Sequence, residues 1–93
     1  MFKTNHYFEG NVVSLGFENE EGKATIGVMA PGEYVFGTST IEYMTVISGE
    51  MMVLLPGESE WKIFRQYDTF MVPKDSSFKL IIKEDAAYKC LYK

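Results

Sequence analysis

An all-β fold, a single antiparallel sandwich or barrel with almost no helix, is predicted by three features of this chain. About nine short runs of β-branched, aromatic and long apolar residues recur at intervals of roughly 8–12 residues, with turn-forming clusters between them. No stretch sustains apolar residues at helical spacing between recognisable caps. Aromatic residues make up 15% of the 93 positions, which favours a packed globule over a disordered chain. A chain of this length holds one domain with a modest core, so residues 1–93 are read as one unit with a short N-terminal arm over about residues 1–10.

In chain order, Met1 to Gly10 carries Phe2, Tyr7 and Phe8 and reads as an arm packed on the outside of the sheet. Asn11 to Phe17 reads as a strand with Val13, Leu15 and Phe17 on one face, closed by the turn Asn19-Glu20-Glu21-Gly22. Lys23 to Ala30 places Ala24, Ile26 and Val28 together, and Pro31-Gly32 is a turn. Glu33 to Gly37 sets Tyr34 and Phe36 on one side. The segment Glu42 to Pro56 reads as the central hairpin. Its first run alternates with a period of two, Ser48-Gly49 supplies a tight turn, and Met51 to Leu55 is apolar throughout. Trp61 to Arg65, Thr69 to Val72, Phe78 to Lys83 and Tyr88 to Lys93 complete the set. In the last two, Phe78, Leu80 and Ile82 share one face, as do Tyr88, Cys90 and Tyr92.

Charge and composition narrow the function. The net charge of −4 is spread along the chain, with no basic stripe to neutralise phosphates, so nucleic acid is not an expected partner. The lone Cys90 has no intrachain partner for a disulfide and reads as a small buried hydrophobe. Residues 1–10 hold no signal-peptide core, and no run approaches the length of a membrane span, so a soluble cytoplasmic protein is expected. Strands apolar on both faces, Met51 to Leu55 above all, need a cover on the outside, from the N-terminal arm or from a second copy of the chain; a homodimer is the economical answer.

The order of these pieces resembles a cupin, a small double-sheet jelly-roll barrel. Glu42 to Gly49 reproduces the spacing of the first cupin motif, a glutamate, six residues and a glycine. Asp68 to Pro73 matches the second, with Tyr67 where the family usually has glycine. The positions that carry histidine ligands in cupins fall near Phe36, Thr38 and Phe78, and the only histidine, His6, lies in the arm. One glutamate and one threonine do not make a transition-metal site, so no metal is expected. At closer range, YVFGTSTIEYMTVISGEMMVLLPGESEW, FMVPKDSSFKL and the Tyr88-Lys89-Cys90 triplet resemble the small cupin family of pyrimidine/purine nucleoside phosphorylases over nearly the whole chain. That resemblance implies a homodimeric, metal-independent enzyme without a cofactor. Such an enzyme uses inorganic phosphate as co-substrate to split many nucleosides into free base and ribose 1-phosphate.

Phosphorolysis passes through an oxocarbenium-like transition state, by analogy with glycoside hydrolysis. The site needs an anion-binding group for phosphate, a carboxylate or hydroxyl set at the ribose, and a surface on which different bases can lie. Glu42 shares its face with Met44 and Val46 and is the candidate for the ribose; the alternative is a strand-end glutamate in water. Thr38, Ser39 and Thr40 offer loop hydroxyls, or simply form a turn. Tyr34, Phe36, Met44 and Phe78 are candidate pocket walls, or plain core. Arg65, the only arginine, is the candidate phosphate ligand if its face turns inward, with Lys74 and Lys79 as rivals. Ser76 and Ser77 flank the expected mouth. A non-catalytic cupin that binds a nucleoside or sugar-like small molecule is the competing reading, and a purely structural dimer a third.

Overall fold

A computed structural model describes residues 2–93. Ten strands form two antiparallel sheets: β1 Lys3–Tyr7, β2 Val12–Asn19, β3 Gly22–Met29, β4 Gly32–Gly37, β5 Glu42–Ser48, β6 Met51–Leu54, β7 Lys62–Phe64, β8 Thr69–Val72, β9 Ser77–Ile82 and β10 Ala86–Tyr92. The larger sheet runs β1-β2-β3-β10-β5-β8 and the smaller β4-β9-β6-β7. No α-helix occurs among the described residues; the one helical element is a 3-10 turn at Phe8–Gly10. The all-β, two-sheet architecture is therefore as expected. Between the sheets lies a core in which Val12, Val46, Val53, Val72 and Leu80 are completely buried. Each is inward by the alternation of its own strand.

Two local expectations are corrected. The segment that reads as an outside arm is instead an edge strand: Lys3 to Tyr7 pairs in full register with Gly16 to Val12 of β2. Its backbone hydrogen bonds go to the sheet, which sequence patterning alone does not reveal in so polar a run. Met1 lies outside the described residues.

The central hairpin does not form. β5 pairs with β10 and β8, whereas β6 pairs with β9 and β7. Ser48-Gly49-Glu50 is a corner that carries the chain from one sheet to the other. Gly49 has φ 81° there, and a Cβ on it would stand 3.0 Å from the Asp85 carbonyl oxygen. A small residue of positive φ serves a crossing as well as a hairpin, so the turn was visible and its topology was not.

Val13, Leu15 and Phe17 share one face of β2, and Ala24, Ile26 and Val28 one face of β3, as expected; the structure adds which side that face takes. On β2 the inward residues are Val12 and Ser14, and on β3 they include Thr25, Gly27 and Met29. Leu15, Ile26 and Val28 point outward and are 46%, 43% and 55% exposed. The more apolar face of these two strands is thus the outer one. Its residues stand opposite one another, Leu15 beside Ile26 and Val13 beside Val28.

The inner face of the larger sheet is laid out in rows fixed by cross-strand register. One row reads Glu42, Tyr92, Lys23, Glu18 across β5, β10, β3 and β2. The next reads Met44, Cys90, Thr25, Gly16, Lys3, continuing onto β1. A third reads Val46, Tyr88, Gly27, Ser14, Asn5. The upper two rows are increasingly polar toward the sheet end that holds Glu42, and that gradient positions the site.

Candidate active site

A cavity of about 190 Å³ opens between the sheets at the Glu42 end. Part of its lining is apolar, formed by Met29, Met44, Phe36 and Phe78, with the rings of Phe36 and Phe78 stacked at 5.9 Å. The rest of the lining, from β10 and β2 of the larger sheet that also carries Met29 and Met44, presents Tyr88, Cys90, Tyr92 and Ser14 and faces Phe36 and Phe78 of the smaller sheet. Tyr7 of β1 closes the side, its ring edge-on to Phe36 at 6.3 Å. The aromatic side is further braced by Phe8, which packs 5.0 Å from Tyr34 and 5.4 Å from Phe36. To reach them, Phe8 and Glu9 adopt consecutive left-handed conformations, with φ 52° and 59°. Each such residue costs on the order of 1–2 kcal/mol, which the two aromatic contacts offset in part.

Glu42 stands where the cavity meets its mouth. The Cys90 thiol donates to Glu42 Oε1 at 3.5 Å, and the Tyr92 hydroxyl shares a hydrogen bond with Thr25 Oγ1 at 3.0 Å. Partial burial pushes the Glu42 carboxyl above its ordinary value, a shift that the Cys90 hydrogen bond opposes. Burial likewise drives the Cys90 thiol and the Tyr92 phenol upward, with the charge of Glu42 adding to both, and raises Tyr88 to about 12. At neutral pH the wall is therefore made of neutral donors around a single carboxylate. In a site largely withdrawn from water, such groups act strongly on any charge that develops nearby.

Beyond Glu42 the cavity gives onto a wider groove, bounded by Gly37, Glu42 and Tyr92 on the shared side. Lys3, Gly16, Glu18 and Lys23 lie across it, and Ser39 and Thr40 form its loop edge.

The sequence-based candidates separate cleanly. Glu42, Phe36, Met44 and Phe78 are brought together in the cavity, and Ser39 lies at the groove. Thr38 and Ser76 line neither hollow, and their hydroxyls are committed. Thr38 Oγ1 donates to the Pro73 carbonyl at 2.7 Å and accepts from the Ser76 N–H at 3.1 Å; Ser76 Oγ donates to the same carbonyl at 2.6 Å. They clasp two loops together and are not offered to a ligand. Tyr34 is core: its hydroxyl donates to the Ala30 carbonyl at 2.6 Å and it does not line the cavity. Arg65 turns outward, follows the exposed Ile63 face of β7, and lies 3.8 Å from Glu50. It follows β7, the edge of the other sheet, in a turn that meets β5 at Val46 and Ile47, away from Glu42, and the phosphate role expected for it has no support in its position. Lys74 and Lys79 line neither hollow.

Sequence reasoning passed over Ser14, Tyr88, Tyr92, Lys3 and Lys23. The signal for the tyrosines was present: Tyr88, Cys90 and Tyr92 alternate on an inward face, and inward tyrosines carry hydroxyls that need partners. Ser14 and Lys23 were hidden because they stand on the less apolar face of β2 and β3, and Lys3 because its segment reads as an arm.

The cupin resemblance raises a metal, and the residues do not fit one. Its ligand positions are Phe36 and Phe78 on the apolar wall and the clasped Thr38. No three His, Cys, Asp or Glu side chains converge among the described residues.

Residues 2–92 match the family described as pyrimidine/purine nucleoside phosphorylase. A Pseudomonas putida protein named pyrimidine/purine nucleoside phosphorylase is 54% identical over 93 residues, covering 100% of this chain and 99% of its own. A Pseudomonas paraeruginosa protein of the same name is 52% identical over 93 residues, with both chains covered completely, at 100%. Among solved structures, a protein of unknown function from Vibrio parahaemolyticus superposes with a TM-score of 0.91 at 45% identity, over 97% of this chain and 96% of the other. An RmlC-like cupin from Shewanella frigidimarina superposes with a TM-score of 0.72 at 15% identity, over 96% of this chain and 80% of the other. At that identity the likeness speaks for the fold alone, which is the cupin-type double sheet.

Proposed function

The chain belongs to the pyrimidine/purine nucleoside phosphorylase family, and from that premise we propose that it cleaves a broad range of purine and pyrimidine nucleosides with inorganic phosphate. A phosphate oxygen bonds to the anomeric carbon while the bond from that carbon to the base nitrogen breaks. The base takes the bonding electrons and a proton, and the pentosyl group leaves as ribose 1-phosphate. The observation that carries this reading is the position of Glu42, a carboxylate at the boundary between a cavity walled by Met44, Phe36 and Phe78 and a wider open groove whose lining includes Lys3 and Lys23 beside Phe2, Phe17 and Ala24. The base lies against Met44, Phe36 and Phe78, the ribose is at Glu42, and phosphate approaches from the groove. Positive charge that builds on the sugar is then opposite a carboxylate held by Cys90.

Breadth toward bases follows from the walls. No Asn, Gln, Arg or Lys lines the cavity, so no side chain forms the paired hydrogen bonds by which proteins distinguish one base edge from another. Methionine and aromatic surfaces accept rings of differing shape.

The working form in this reading is a cytoplasmic homodimer. Covering the outward block of Val13, Leu15, Ile26 and Val28 by a second copy removes apolar surface that monomers rarely expose. The buried thiol of Cys90 suits a reducing compartment.

The test is direct. Purified protein, mixed with a panel of purine and pyrimidine nucleosides and phosphate in the presence of a strong chelator, is expected to release free base and ribose 1-phosphate in equal amounts. Base released without ribose 1-phosphate would make the protein a hydrolase. Saturable nucleoside binding with no product would make it a non-catalytic binding protein.

A further inference from the structure

The cavity described above contains no cationic side chain, yet phosphorolysis requires a dianion beside the ribose. Of the nine Lys and Arg residues, Lys3 and Lys23 are the two that line either hollow, and both belong to the groove. Their placement follows from register. Lys23 stands directly opposite Tyr92, which stands directly opposite Glu42, so Lys23 and Glu42 lie in one row two strand spacings apart, about 10 Å between backbones. Lys3 ends the neighbouring row, across Gly16 from Thr25. Both point to the inner face of the sheet, because Thr25 and Asn5, two residues along on the same strands, are the inward residues there.

Between the lysines the floor is open. Gly16 has an ordinary φ, and a Cβ built on it would meet nothing within 4 Å. Gly27, the other inward glycine of this sheet, is by contrast filled by the Tyr88 ring, 2.6 Å from its would-be Cβ. Space at the first and not the second leaves a hollow at the Glu42 end only. Neither lysine takes part in an ion pair among the described residues, whereas Lys62, Arg65 and Lys89 are each paired with a glutamate. Glu18, the cross-strand neighbour of Lys23, also lines the groove and makes no ion pair with it.

We propose that this groove is the subsite for inorganic phosphate, with Lys3 and Lys23 as its ligands above the floor at Gly16 and the Ser39 and Thr40 hydroxyls at its edge. The assignment rests on the phosphorolysis reading for its role in catalysis. Phosphate held there lies on the far side of Glu42 from the apolar cavity, so nucleophile and departing base occupy opposite sides of the sugar. Two ammonium groups make charge-assisted hydrogen bonds to a dianion, and they leave it free of the carboxylate until the ribose is between them.

The experiment has two arms. In the first, steady-state kinetics are measured for Lys23→Met, Lys3→Met, Lys23→Arg and Gly16→Val. The methionine variants are expected to raise the KM for phosphate at least ~10-fold each, with nucleoside KM within about twofold of the parent. Lys23→Arg retains most of the phosphate affinity, and Gly16→Val, which fills the floor without a clash, raises the phosphate KM as the methionines do. Lys74→Met, on the outer surface, leaves both unchanged. In the second arm, inorganic phosphate is titrated into the parent protein while backbone amide resonances are followed. Shifts centred on Gly16, Lys23, Thr25 and Ser39 support the subsite whether or not turnover is seen. Phosphate KM unaltered in both methionine variants, or shifts centred on Arg65 and Glu50, would overturn the subsite while leaving nucleoside phosphorolysis standing. No turnover by the parent, with the groove amides still shifting, would do the reverse.

Discussion

Glu42 reads as inward from two-residue alternation with Met44 and Val46, and it is inward because β5 has no bulge over that span. Its chemistry depends on being charged when the sugar becomes cationic. Glu42→Gln keeps the shape and the acceptor for the Cys90 thiol, and is expected to lower kcat by roughly 10²–10³ with little change in KM. Glu84→Gln, in an exposed turn, is the control. Since burial raises the Glu42 pKa, activity falls on the acid side at a pH above the ordinary carboxylate value of 4.5. Stability runs the other way. A carboxyl whose folded-state pKa is raised contributes stability that is complete below its unfolded value and lost as pH rises through the folded one. Glu42→Gln is therefore expected to melt higher than the parent at neutral pH, and the gap to close well below pH 4.5. A lower melting temperature for the variant at neutral pH would show that the carboxylate is a structural anchor instead. Arg65 shows the limit of the same reasoning. Trp61, Ile63 and Arg65 do share a face, but periodicity carries no sign, and here the face is the outer one.

At the scale of strands, existence and inward face were legible wherever one side was clearly polar. β9 and β10 are the examples: Phe78, Leu80 and Ile82, then Tyr88 and Cys90, are all buried. On β2 and β3 the shared faces were legible but not their side: both sides carry apolar residues, and the inner one is made largely of small or hydroxyl residues, Ser14, Gly16, Thr25 and Gly27. A cavity wall that must leave room looks less like core than the surface behind it. The missing hairpin has a related cause, since both partners of β5 (β8 and β10) and one partner of β6 (β9) lie more than 20 residues away, and local sequence cannot choose among them. The corner itself makes a prediction. Gly49 combines positive φ with a 3.0 Å approach to a backbone oxygen, so Gly49→Ala is expected to cost about 1–3 kcal/mol in urea unfolding. Gly57→Ala, also at positive φ but in open space, serves as the comparison and costs less. Equal losses at the two positions would mean that the close approach at the corner contributes nothing.

For the molecule as a whole, apolar surface on the outside of the larger sheet replaces Met51 to Leu55 as the place to look for self-association. Met51 and Val53 face the core, and Met52 and Leu54 are already half-buried in the middle of the smaller sheet. Val28→Glu puts a charge at the centre of the outward block and, through two-fold symmetry, next to its own copy. If the proposed homodimer forms through this block, the variant is expected to sediment as a monomer at micromolar concentration, where the parent sediments as a dimer, without loss of fold. An unchanged sedimentation coefficient would move the interface elsewhere. The sheet order has one further consequence. β10 is the latest strand along the chain, yet it lies between β3 and β5, in the middle of the larger sheet. On a ribosome, strands β1 to β3 emerge as a meander, and β5 emerges with one edge still waiting for a neighbour that has not been made. The sheet cannot close, nor the cavity acquire its tyrosine wall, until β10 is free of the exit tunnel. Contacts so distant in sequence form slowly. The open edges of β3 and β5 are meanwhile available for wrong pairings.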